Sequence, residues 1–230
     1  MSVADFIADP HKYSKSHVVQ FQHLAFQPAQ AGMQVLATLN NWAGAWTAEH
    51  HGMIANEFTS FSFQESTQAG RDKHGQRFTK DNQRIGKGAG NMHTVNVGHG
   101  AQDLGIRYLP WKANAVTYMT LDNAAKTFFT GPLSGCSIFV GRVGTTYSVF
   151  HANRNSTGLP NPAIKAAMMN SVNIVLPAQV QIVHSAIYQQ EYSDFGFVFG
   201  QKQSGAWKFY AADTISPGAN QFTTTIRRLP

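Results

Sequence analysis

The sequence predicts an α+β fold of β-rich character: a mixed-sheet sandwich with peripheral helices and long loops, built as a single domain over residues 1–230. Three observations lead there. Short alternating or β-branched apolar runs recur along the chain, separated by Pro, Gly, Asp or Ser, which is the pattern of half-buried strands. Clear helix starts are scarce. The chain has 230 residues, 43% hydrophobic and 13% charged, enough to bury a substantial core between packed sheets.

In chain order, His17 to Leu24 alternates at Val19 and Phe21, and Glu57 to Phe63 alternates at Phe58, Phe61 and Phe63, so both read as strands. Met33 to Trp42 places Met33, Leu36 and Leu39 at three-residue spacing. That spacing fits a helix, whereas its Val and Thr content fits a strand. Between Ser66 and Gly105 the chain turns Gly-rich and polar, predicting either a long surface loop or a set of very short strands. Within it, Arg71 to Lys87 holds six basic and two acidic residues, a solvated loop or a partner-docking one. Ala115 to Leu121 is β-branched and aromatic. Cys136 to Val143 and Thr146 to His151 form two alternating runs around Gly144 and Thr145, a hairpin. Asn161-Pro162 before AIKAAMM is a helix start, with a capping Asn and Pro in the first turn. Ser171 to Leu176, Val180 to Tyr188, Phe195 to Phe199, Trp207 to Ala211 and Gln221 to Ile226 then read as strands. No repeat recurs at a fixed period.

Composition narrows the chemistry. The N-terminus lacks a basic segment followed by an apolar core, and nowhere do apolar residues run long enough to span a bilayer, so neither a secretory signal peptide nor a membrane span is expected. The single cysteine excludes an intramolecular disulfide and suits a reducing compartment. There are 18 Lys and Arg against 12 Asp and Glu. Up to Pro110 the balance is nine basic to eight acidic, and beyond it nine to four, which favours an acidic partner for the C-terminal part. The basic residues do not interleave with stacking aromatics, so direct nucleic-acid recognition is not expected.

Competing motifs are weak. Gly86-Lys87-Gly88-Ala89-Gly90 lacks the Lys-Ser/Thr ending of a phosphate loop. His50, His51, His93 and His99 have no Cys or carboxylate companions at zinc spacing, so no metal and no cofactor are expected. No Gly-x-Ser-x-Gly elbow is present, and the sequon Asn155-Ser156-Thr157 matters only in a secreted chain.

Attention therefore falls on Cys136. A lone cysteine beside Ile138 and Phe139 is ordinarily a small buried hydrophobe. Here Gly131, Pro132, Ser134 and Gly135 precede it, a turn of small residues whose backbone N–H groups can approach a substrate and hold an oxyanion. Folding the hairpin brings His151 near the start of its first strand, opposite Cys136, where an imidazole raises the thiolate population. The alternative for His151 is a hydrogen-bonded strand histidine. Trp111 and the basic loop at Lys80 are candidates for a substrate-facing rim; core or turn packing is the alternative for Trp111.

The stretch Leu133-Ser134-Gly135-Cys136 with a downstream histidine resembles the signature of the toxin-type glutamine deamidases, the family that includes cytotoxic necrotising factor. Phe128-Phe129-Thr130 before it and Leu109-Pro110-Trp111-Lys112 upstream resemble Burkholderia lethal factor, a compact member of that family. The likeness runs from Leu109 to about His151, under a fifth of the chain. Cys136 and His151 are fifteen residues apart, which resembles the necrotising-factor pattern and is longer than expected for the lethal factor. If His151 did not serve, only His184 downstream could replace it.

That resemblance implies Cys136 as nucleophile, His151 as base and Thr130 as the residue orienting the imidazole. It also implies a bacterial toxin or effector that is made in the bacterial cytoplasm and acts in the host cytosol. There it would convert a glutamine of a host protein to glutamate, in a translation-initiation RNA helicase or a Rho-type GTPase, the compact length and the FFT and LPWK matches favouring the helicase. The chain is taken as a monomer with no membrane partner. A transglutaminase using the same thioester, a papain-like protease and a non-catalytic binding module are the alternatives. The protease is disfavoured because Cys136 opens a β-alternating run and not a helix.

Overall fold

The computed structural model describes residues 3–14, 19–21, 35–39, 46–47, 60–70, 82–85, 90–98, 105–109, 111, 115–133, 135–153, 166, 168–169, 179–187, 195–218 and 221–229. The fold is β-rich α+β. Two short helices, α1 (Val3–Ala8) and α2 (Pro10–Ser14), precede the strands. The strands are β1 (Val19–Phe21), β2 (Val35–Leu39), β3 (Trp46–Thr47), β4 (Ser60–Gly70), β5 (Asn82–Ile85), β6 (Gly90–Gly98), β7 (Ile106–Leu109) and β8 (Ala115–Leu121). They continue with β9 (Thr127–Thr130), β10 (Ser137–Val143), β11 (Thr146–Ala152), β12 (Gln181–Ile187), β13 (Phe195–Gln203), β14 (Ala206–Gly218) and β15 (Gln221–Arg228).

One six-stranded sheet has the order β12-β10-β11-β8-β2-β3, antiparallel throughout. The other runs β5-β15-β14-β13-β9-β7 and is antiparallel except for the parallel β7–β9 pair. A smaller sheet, β1-β6-β4, pairs β1 with β6 in parallel.

Side-chain alternation divides the apolar residues into layers. Met119, Leu121, Ile138, Val140 and Val149 of the first sheet bury against Phe128, Val198, Phe209 and Ala211 of the second, making the inner core of a sandwich. The outer face of the second sheet presents Phe129, Phe197, Phe199 and Tyr210, covered by Phe6 of α1 and Tyr13 of α2. Phe6 stacks on Phe129 with ring centroids 5.1 Å apart. A third cluster covers the outer face of the first sheet, where Phe139 and Phe150 meet Met168.

The helices were not foreseen, although their signal is present. Asp9 caps α2, its Oδ1 accepting from the Lys12 N–H at 2.9 Å, and Pro10 stands in the first turn. The hairpin and the C-terminal strands fall where the alternation predicts them. Met33 to Trp42 contains the strand β2 and no helix within its described residues, and the described residues of the first predicted strand, Val19–Phe21, are strand β1. The Gly-rich segment needs correction: Gly90–Gly98 is a nine-residue strand at the centre of its sheet, and β4 continues through Gly70. Among the described residues of the segment, β5 is a short strand as one alternative had it, whereas β6 and the end of β4 belong to long ones. Backbone pairing on both sides of β6 overrides its poor intrinsic propensity. Asn161-Pro162, Ser171 to Leu176, Ser134, Lys80 and most of the Arg71 to Lys87 run lie outside the described residues.

An ion pair ties the two sheets together at the end of the sandwich away from Cys136. Arg107 of β7 is 3% exposed, and its Nη2 donates to both carboxylate oxygens of Asp122 at the end of β8, at 3.0 and 2.9 Å. Asp122 also accepts from the Ala125 N–H, fixing the turn into β9. Next to Arg107, Tyr108 is buried, and that burial pushes its phenol well above the ordinary value of about 10. The unfolded chain sheds this proton near pH 10 while the folded chain keeps it. Stability should therefore fall above pH 10, by about 1.4 kcal/mol per pH unit from this residue. Urea titrations at pH 9 and pH 11 should show a smaller alkaline loss in Tyr108→Phe than in the unaltered protein.

Candidate active site

The path into Cys136 is pinned at each step. Gly131 N–H donates to the Leu109 carbonyl at 2.9 Å as the chain leaves β9. Leu133 then exchanges both backbone bonds with Gly196 of β13, at 2.7 and 3.0 Å. Gly135 follows at φ 111°, in open space, a conformation that side-chain-bearing residues avoid. The chain thereby turns from one sheet into the other, and Cys136 arrives at the start of β10, 3% exposed.

The hairpin register decides what faces the sulfur. Gly144 and Thr145 form a two-residue loop, so Val143 pairs with Thr146, Ile138 with His151 and Ser137 with Ala152. Carried one step further, Cys136 stands across from Asn153, whose Nδ2 donates to Sγ at 2.9 Å. An N–H aimed at sulfur favours the thiolate over the thiol.

His151 is therefore not directly opposite Cys136. It is one same-face step along, across from Ile138 on one side and Thr117 of β8 on the other. Cys136, Asn153 and His151 share the inner face, with His151 on the diagonal to the thiol, where neighbouring positions are about 7–8 Å apart. His151 is fully buried and both of its ring nitrogens are enclosed.

Thr130 approaches from the facing sheet. It is fully buried at the end of β9, and its Oγ1 accepts from the Val198 N–H at 2.9 Å. The hydroxyl proton is not used in that bond. Trp111 is half-buried and lies over the same turn: a Cβ on Gly131 would sit 3.5 Å from its Cδ1. His184 is placed elsewhere, across from Val140 with its ring 5.5 Å from that of Phe209. Four residues along a strand are about 13 Å, so it cannot stand in for His151.

Asn153 is the site residue that sequence reasoning missed. Counting outward from a two-residue loop at 144–145 pairs 136 with 153, so the signal was present once the turn was located. Among the described residues no group of three or more His, Cys, Asp or Glu is placed to hold a metal ion. Chemically, the arrangement offers a thiol, an amide donor to it, an imidazole on the same face and a tight backbone turn.

Asn153→Ala removes the N–H donor that favours the thiolate form of Cys136, a charge-assisted bond of about 1.5–3 kcal/mol once the sulfur is ionised. Thiol alkylation at neutral pH should slow about ten- to a hundredfold, and its pH profile should move to higher pH. A profile identical to that of the unaltered protein would remove Asn153 from the site.

No protein-family model and no curated protein matches this chain. Among solved structures, the chain is similar to the C-terminal domain of CNFy from Yersinia pseudotuberculosis, with 7% identity, a TM-score of 0.36 and coverage of 99% of this chain and 100% of that one. Agreement at that level does not establish a shared fold, and the functional reading rests on the site's own residues.

Proposed function

We propose that this protein is a cysteine-dependent glutamine deamidase acting on another protein, a bacterial effector working in a host cytosol. The observation that carries the reading is the placement of Asn153 and His151 on the hairpin face of Cys136, with Asn153 bonded to the sulfur. Thr130 and the Leu133-Ser134-Gly135-Cys136 stretch complete the set implied by the deamidase resemblance.

His151 accepts the Cys136 proton, and the thiolate attacks the carboxamide carbon of a glutamine side chain. The C–O double bond opens to an oxyanion held by N–H groups of the turn around Gly135 and Cys136. Imidazolium returns the proton to the departing nitrogen, and ammonia leaves with formation of a thioester. His151 then activates a water that cleaves the C–S bond, releasing glutamate and regenerating the thiol. A neutral donor-acceptor amide becomes an acceptor-only anion. Cys136 is 3% exposed and its neighbours Gly135 and Asn153 are half-buried.

The substrate is a translation-initiation RNA helicase or a Rho-type GTPase, and the FFT and LPWK matches favour the helicase. Peptide mapping of both proteins after incubation with this chain and with Cys136→Ala tests the reading. Conversion of one glutamine to glutamate by the unaltered chain only is the expected result. Incorporation of an added primary amine in its place would make the enzyme a transglutaminase. Absence of both changes across a host proteome would leave a binding module.

A further inference from the structure

The sandwich has a second open end, opposite Cys136, where three tight connections meet: the turn after β8, the β10–β11 loop and the β13–β14 loop. They enclose a cleft of about 290 Å3. The inward-facing rows of both sheets can be followed into it. In the first sheet Ile138 and Val140 are core, and the next same-face position is Arg142, paired with Tyr147. In the second sheet Val198 is core, and two same-face steps on stands Lys202, paired with Trp207. Each row that is apolar in the core thus ends, at the rim of the cleft, on a cation in the same strand phase beside an aromatic ring, Arg142 exposed and Lys202 half-buried.

Cations at inward positions often guard exposed sheet edges. That explanation fails here, because β10 lies between β12 and β11, and β13 between β14 and β9. The local acid does not neutralise them either. Asp122 lines the cleft, but its carboxylate is held by Arg107. Lys202 Nζ reaches only the Asn123 carbonyl, at 3.4 Å, and Arg142 makes no ion pair among the described residues.

We infer that this cleft is an anion site for a phosphate group, held between Arg142 of one sheet and Lys202 of the other. The guanidinium supplies a planar fork of donors and the ammonium a point charge, a combination suited to a dianion. The walls formed by Tyr147 and Trp207 offer an aromatic surface to any organic part attached to that phosphate. From Cys136 to Arg142 is six residues of strand, about 20 Å, so the site is separate from the thiol and independent of the proposed reaction.

The test titrates the whole protein with inorganic phosphate and with phenyl phosphate at low ionic strength, following tryptophan fluorescence and thermal midpoint. Saturable binding with a raised midpoint is expected, weakened by added chloride. Arg142→Gln and Lys202→Gln should each weaken it at least about fivefold, while Cys136→Ser binds as the unaltered protein does. Tighter binding of phenyl phosphate would assign the site to a phosphomonoester, and equal binding to free phosphate. Absence of saturation with both probes, or unchanged binding in the doubly substituted protein, would overturn the inference.

Discussion

His151→Gln is expected to lower glutamine deamidation by about a hundred- to ten-thousandfold, the usual contribution of a positioned acid-base group. Glutamine keeps much of the imidazole's volume and its capacity to hydrogen-bond, but it cannot carry a proton between thiol, ammonia and water. The side chain is fully buried between Ile138 and Thr117, so folding must be monitored alongside activity. A melting transition within a few degrees of the parent's, with activity lost and thiol alkylation slowed, would mark a chemical role. Full activity in this variant would remove His151 from the mechanism, and with His184 across from Val140 no downstream histidine among the described residues would take its place.

Gly196→Ala should be the most disruptive single-methyl change. Gly196 is a buried residue of β13 that bonds Leu133 on one side while pairing with Asp213 on the other. A Cβ built there falls onto the Ala212 carbonyl oxygen, a backbone atom that cannot rotate away. Overpacking of this kind costs about 3 kcal/mol. The bridge to Leu133 sets the turn into Cys136, so activity should fall with stability. Gly135→Ala provides the contrast: no atom lies within 4 Å of its added Cβ, and only its φ of 111° opposes substitution. That strain costs about 1–3 kcal/mol and acts directly on the turn. Urea unfolding should rank Gly196→Ala as the less stable of the two, and equal midpoints would contradict the steric account.

The hairpin and the inner core were legible because alternation and a two-residue turn are local signals. Ile138, Val140 and Val149 announce an inward face with no knowledge of their partners. Asn153 was missed because proximity to Cys136 was judged from the strand ends and not counted from the turn, an error of one same-face step. Strand β6 escaped because only Val95 and Val97 alternate among its glycines and polar residues; its place comes from pairing with β1 and β4, which single-sequence periodicity cannot see. Arg142 and Lys202 carry no local signal of a shared cleft; the register of β10 and β13 is what places both beside it.

The pairing of β15 with β5 has a consequence in time. Thr224 bonds beside Ile85 and Arg227 beside Asn82, partners separated by well over half the chain, whereas the hairpin bearing Cys136 closes within a few residues. Loop-closure entropy makes the hairpin an early event and the distant pairing a late one. On a ribosome, the thiol and its asparagine would be neighbours long before β13 brings Gly196 to anchor the turn beside them. An assembled pair of strands would thus exist for some seconds of synthesis without the backbone frame that the proposed nucleophile requires, so reactivity would switch on only as the second sheet closes.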